Sequence, residues 1–127
     1  MSDQTVPGSI TWHDLTVADA ESVGDFYEAV AGWKPSPVEM GGYSDFSMLD
    51  GDGNCVSGVC HARGINADLP PQWLMYITVS DIEASLTTCR DAGGKVLHGP
   101  RENHGSTIAV IEDPAGAVCA LYQPAVG

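Results

Sequence analysis

Positive charge is scarce in this 127-residue chain: five Lys and Arg stand against seventeen Asp and Glu, a formal net charge of −12. Such a surface repels phosphate backbones and anionic headgroups, which argues against nucleic acid and membrane surfaces as partners. It suits solubility, a salty interior or a cationic ligand, and the acids are scattered rather than clustered. Long apolar runs are missing too, and none approaches the roughly 20 residues that a bilayer span requires. Cys55, Cys60, Cys89 and Cys119 show no CxxC spacing, so a zinc or redox motif is not expected. The opening segment MSDQTVPGS has neither the basic start nor the apolar stretch of a secretory signal. With the cysteine pattern, that makes a reducing cytoplasm the expected compartment. Low-complexity segments are also absent.

What is present is a repeat. WHDLTVADAESVGDFYEAVAGW, from Trp12, lies without a gap over LMYITVSDIEASLTTCRDAGGK, from Leu74, at an offset of 62. Identities fall at Thr16/Thr78, Val17/Val79, Asp19/Asp81, Glu21/Glu83 and Gly32/Gly94. A second correspondence, at an offset of 63, sets Asp50-Gly-Asp-Gly53 over Asp113-Pro-Ala-Gly116. An internal duplication follows, and at this length two halves share one core more readily than they stand alone.

Ile10 to Val17 alternates like a half-buried strand, and Asp19 then opens an amphipathic stretch with Val23, Phe26, Tyr27 and Val30 at helical spacing. Gly32 suits a helix C-cap, and Gly93-Gly94 holds the same place after a helix from Ile82 to Ala92. Short strands follow each helix, separated by Gly41-Gly42 and Gly51-Asp-Gly53 in one half and by Gly99-Pro100 and Asp113-Pro114 in the other. Gly116 is read as the positive-φ residue of its turn. Each half is therefore predicted as β-α-β-β-β: residues 9–61, then a Pro- and Gly-bearing linker over 62–72, then residues 73–124. The fold class is α+β.

These pieces resemble the vicinal oxygen chelate superfamily, the glyoxalase/bleomycin resistance/dioxygenase group. The resemblance is carried by Trp12 through Asp19, Phe26-Tyr27, Gly32-Trp33, Trp73 through Asp81, Gly93-Gly94-Lys95 and Asp113-Pro-Ala-Gly-Ala117, in that order over nearly the whole chain. It implies two tandem βαβββ modules whose mixed sheet curls into a cup around a ligand, often in a homodimer. In metal-dependent members the first and last strand of each module each supply a ligand to a divalent ion. Carried over by spacing, those positions are Trp12, Ser57, Leu74 and Ala120, of which only Ser57 has a donor, and a poor one. No cofactor is expected on that mapping, and a divalent metal would need an atypical site. His13 lies one residue from the first position, but strand alternation turns it to the other face, as an exposed or edge histidine.

The same alternation assigns the cup wall: Trp12, Asp14 and Thr16; Leu74, Tyr76 and Thr78; Cys55, Ser57, Val59 and His61; Val118, Ala120 and Tyr122. Trp12, Tyr76 and Tyr122 can stack a planar or cationic molecule, or simply pack the sheet. Asp14 and His61 are the pair suited to proton transfer, with a structural carboxylate as the alternative for Asp14. Cys55 has no adjacent base and reads as a buried small hydrophobe. His104, with Arg101, lies in a polar loop from Pro100 to Gly105 that can cover a cup mouth.

Two functions stay open. One is metal-free binding of a small organic molecule, cationic or aromatic, in a resistance or sequestration role like the drug-sequestering branch of the family. The other is an enzyme of lyase, isomerase or dioxygenase type, using Asp14 and His61 for acid-base chemistry or an atypical metal site.

Overall fold

The computed structural model describes residues 6–64 and 67–125. Ile65 and Asn66 of the linker, and the first five residues of the N-terminal segment, lie outside them. The elements run β1 (Ile10–Val17), α1 (Ala20–Ala31), β2 (Lys34–Glu39), β3 (Ser44–Leu49), β4 (Cys55–His61), β5 (Trp73–Thr78), α2 (Ile82–Asp91), β6 (Lys95–Asn103), β7 (Ser106–Glu112) and β8 (Val118–Gln123). The chain is α+β, with the β-α-β-β-β order twice. Two compact units divide it, His13–Trp73 and Leu74 onward, the latter taking in the residues up to Trp12. No helix among the described residues is long and apolar enough to cross a membrane.

In the first unit the strands lie in the order β2-β3-β4-β1, with β1 and β4 parallel and the other pairs antiparallel. Asp19 starts α1 by accepting from the Ser22 amide at 3.1 Å, and Gly32 ends it at φ 77, its N–H donating to the Glu28 carbonyl. Ala20, Met48 and Val59 form the core, flanked by Val17, Val23, Tyr27, Trp33, Phe46 and Trp73. The helical stripe sits slightly rotated from the one expected. Phe26 and Val30 are exposed, and the buried face runs through Ala20, Val23, Gly24 and Tyr27, because Gly24, with no side chain, lets α1 sit close to Pro35.

In the second unit the order is β5-β8-β7-β6. The start of β1 joins this unit: Gly8 donates to the Thr78 carbonyl and Thr78 to that of Ser9, both at 2.8 Å. Asp81 caps α2 through the Ala84 amide, while the Ile82 amide donates to Gln123 Oε1 at 2.8 Å. Ile82, Leu86, Ala109 and Leu121 make the core beneath the helix. Gly99-Pro100 is not the expected break between strands. β6 runs through it with register irregularities on both sides of His98, and the hairpin turns instead at His104 (φ 52) and Gly105 (φ 88), a positive-φ pair suited to a two-residue turn. The segment read as a covering loop is thus mostly strand.

The two copies differ by one residue, at a definable place. Asp50 Oδ1 accepts from the amides of Asp52 and Asn54, and Asp113 Oδ1 from those of Ala115 and Ala117, so the turns superpose at the offset of 63. The parallel pairings, however, are Asp14 with Gly58 and Tyr76 with Ala120, an offset of 62. A β-bulge resolves the difference. Met48 pairs with Ser57 but Leu49 with Cys55, leaving Val56 as the extra residue, whereas β7 and β8 pair without interruption.

Gly32 and Gly94 are identical in the repeat for different reasons. Gly32 needs its positive φ and has open space around it. At Gly94 a Cβ would meet the Glu112 carbonyl oxygen and the Cys89 Sγ, each at 2.8 Å, and the positive-φ role passes to Gly93. Gly94→Ala should therefore cost about 1–3 kcal/mol by overpacking. Urea unfolding checks this, and an unchanged midpoint would contradict the close approach.

Candidate functional site

Each module presents one side of its strands to its helix and the other away from it. In the second module the far side carries Leu74, Tyr76 and Thr78 from β5, Ile108 and Val110 from β7, and Val118, Ala120 and Tyr122 from β8, as the pairings Tyr76–Ala120, Ile108–Tyr122 and Val110–Ala120 require. Leu74, Thr78 and Ala120 are buried, and Tyr76 and Tyr122 half-buried. It is an apolar wall with two phenols and a threonine hydroxyl, the composition of a ligand-binding surface. His104 is exposed at the hairpin tip, and Arg101 lies exposed within β6. Trp12 is half-buried in this same unit.

In the first module the bulge changes the expected set. Because Leu15 pairs with Val59 and Val17 with His61, the residues Ser57, Val59 and His61 take the side of Leu15 and Val17, toward α1. Val59 belongs to the core, and Ser57 is buried with its hydroxyl lacking any hydrogen-bond partner among the described residues. The far side, shared with Asp14 and Thr16, holds Gly58 and Cys60 instead. Cys55, before the bulge, is exposed rather than buried.

The proton-transfer pair is also re-drawn. Asp14 sits three residues along the strand from the partner of His61 and on the opposite side, about 10 Å away. The carboxylate that meets His61 is Asp45, at the start of β3. Its Oδ1 accepts the His61 amide at 2.8 Å and lies 3.4 Å from the ring Nδ1. The Tyr43 ring stands edge-on to the imidazole at 5.6 Å, and Arg63 stacks on Tyr43 with its guanidinium carbon 3.9 Å from the ring centre. Asp45 and the His61 side chain are mostly buried, at 15% and 20% exposure. A proton held on Nδ1 toward Asp45 leaves Nε2 as a hydrogen-bond acceptor and a base.

Cys60 lies on the other side of the same carboxylate. Burial pushes its thiol well above the usual range, and the charges of Asp14 and Asp45 push it further. Burial and these charges favour the protonated thiol. Asp19, at the helix start, is held below the ordinary carboxylate value first by the Ser22 amide and in smaller part by the nearby His61.

With the bulge counted, the residue equivalent to Ala120 is Gly58, so the positions that the resemblance assigns to a metal, two in each repeat, carry Trp12, Gly58, Leu74 and Ala120 in the sequence. None of these side chains offers a lone pair suited to such a cation, and the set does not fit the metal. Among the described residues, no three His, Cys, Asp or Glu side chains are grouped to hold an ion.

The sequence pattern of the Glyoxalase/Bleomycin resistance protein/Dioxygenase superfamily matches residues 9–121. The chain belongs to this superfamily. Its curated relatives include the anthracycline biosynthesis protein DnrV of Streptomyces peucetius, 29% identical over 94% of this chain and 48% of that protein. Another is CFP32 of Mycobacterium bovis, which bears a provisional glyoxylase name, 29% identical over 93% of this chain and 45% of that one. The chain thus spans about half the length of the curated relatives it matches. Among solved structures, methylmalonyl-CoA epimerase from Mycobacterium tuberculosis matches with a TM-score of 0.58 at 19% identity, over 99% of this chain and 93% of that one. The Streptomyces coelicolor epimerase in complex with 2-nitronate-propionyl-CoA matches at 0.57 and 20%, over 95% and 100%. At these identities the superfamily fold is what is shared.

Cys60 gives this superfamily member a pH signature. An ionisation raised by folding contributes stability that is full below the ordinary cysteine value of 9.0 and declines as pH rises above it. Urea midpoints should fall above about pH 9, and less steeply in Cys60→Ala. Part of the slope should persist, because burial also raises the Cys119 thiol. Equal slopes in the two proteins would contradict the buried neutral thiol.

Proposed function

We propose that the protein binds a small, planar organic molecule, neutral or cationic, without a divalent metal ion. The observation that carries this reading is the residue set at the superfamily's metal positions: Trp12, Gly58, Leu74 and Ala120 replace donors with hydrocarbon, an indole ring and bare backbone. On the second module's far side, with Leu74 and Ala120, stand Tyr76 and Tyr122, whose rings suit stacking on a flat ligand. A net charge of −12 favours a cationic group on that ligand. The name of the relative from Streptomyces peucetius, an anthracycline biosynthesis protein, supports the planar class, since the anthracycline ring system is flat and polycyclic. A sequestration or carrier role for such a molecule, in a cytoplasmic homodimer, completes the proposal.

A second reading, acid-base catalysis on a ligand held at the first module, is favoured by the contact of His61 with Asp45. In it Nε2 of His61 takes or gives the proton and Asp45 holds the ring's orientation. Asp14, beside Cys60, then serves the ligand or the strand rather than the proton.

Fluorescence titration with an amine-bearing polycyclic quinone, with and without EDTA, tests the binding. Saturation with a dissociation constant near the micromolar range, unaffected by chelator, is expected. Tyr122→Ala should weaken it about tenfold. Binding abolished by EDTA and restored by Ni or Zn would overturn the metal-free reading, and lack of saturation would overturn the ligand class. If a ligand held at the first module is turned over, His61→Ala should reduce kcat by about 10²–10⁴-fold. Full turnover in that variant would remove His61 as the acid-base group.

A further inference from the structure

The first module contains a cleft on its helix-facing side, and so across the strands from Asp14 and Cys60. It has a volume of about 290 Å³ and is lined by His13, Trp33, Val56, Ser57 and Trp73. The bulge creates it. Val56, the extra residue of β4, is pushed to the cleft wall, and Ser57 beside it is turned inward at 1% exposure.

Ser57 Oγ is fully buried and has no hydrogen-bond partner among the described residues. A buried hydroxyl left unpaired is unfavourable, and one that lines a cleft points to an occupant able to bond it. The other walls describe that occupant. Trp33 and Trp73 stand nearly perpendicular, at 77°, with ring centres 5.7 Å apart, so a flat ring can stack on one indole and meet the edge of the other. The Trp73 indole N–H is already donated to the Tyr27 hydroxyl at 3.0 Å, which locks this wall and withdraws its donor from the cleft. The apolar surface is therefore rigid, and polar recognition falls to the Ser57 hydroxyl inside and His13, exposed at the mouth.

We propose that this cleft is a binding site for a small aromatic molecule of one or two rings, neutral or cationic, with a hydroxyl, carbonyl or amidine group seated on Ser57 Oγ. It is separate from the far-side surface of the proposed function and does not depend on it. An anionic ligand is disfavoured by the chain's net charge of −12. The volume lies at the lower end for ligand pockets and admits a fragment rather than a polycycle.

The test is a titration of the full chain with phenol and with benzamidine, read by NMR at the Trp33 and Trp73 indole N–H signals. Saturable shifts at both indoles are expected, with a dissociation constant of about 0.1–1 mM for at least one probe. Ser57→Ala should weaken that probe about 5- to 10-fold while its Tm stays level or rises, because the variant removes an unpaired hydroxyl. Absence of saturable shifts with both probes would overturn the site. Unchanged affinity in Ser57→Ala would overturn the role of the hydroxyl. Shifts confined to Tyr76 and Tyr122 would count for the far-side surface and against this cleft.

Discussion

Parallel pairing of β1 with β4 decides which side every functional side chain of the first module takes. One register, Leu15 beside Val59, places Val59 under the helix, Cys60 beside Asp14 and Ser57 in the aromatic cleft. That register depends on a single extra residue. The Asx turn at Asp50 is built on the same hydrogen bonds as the one at Asp113, so β4 leaves its turn as β8 does, and only the bulge at Val56 separates their later faces. Without it Ser57 would stand where Gly58 stands, and the duplicated strands would present equivalent positions.

The consequence is an asymmetric molecule from a symmetric plan. The second module keeps a hydrocarbon wall with Tyr76 and Tyr122, while the first concentrates its polar groups around one carboxylate. Asp45 accepts from the His61 amide, lies against the His61 ring and faces the Cys60 thiol. A carboxylate with these neighbours orients the imidazole, and it adds to the burial that raises the Cys60 thiol.

The duplication, both helices with their caps, and the faces of β1, β5 and β8 were legible because alternation and helical periodicity are local. Alternation alone puts Asp14, Tyr76 and Tyr122 on the side away from the helices, where the strand pairings also put them. It fails for Ser57, Val59 and His61 because it continues through β4 at the turn's offset of 63, whereas the bulge at Val56 returns the last strand to 62. Asp45, Tyr43 and Arg63 carried no comparable signal. Their meeting with His61 depends on the antiparallel register of β3 with β4, which links residues 16 apart and leaves no trace in either strand's own pattern. Gly99-Pro100 misled for a different reason: a bulged strand can hold residues that elsewhere mark a turn.

The face assignment of β4 underlies both binding proposals, and side-chain NOEs read it directly. The account predicts contacts of Cys60 with Asp14 and Thr16, and of Ser57 and Val59 with Met48 and Leu15. Cross-peaks from the Ser57 and Val59 side chains to those of Asp14 and Thr16 would mean that the strand is unbulged, and would contradict the account at its base.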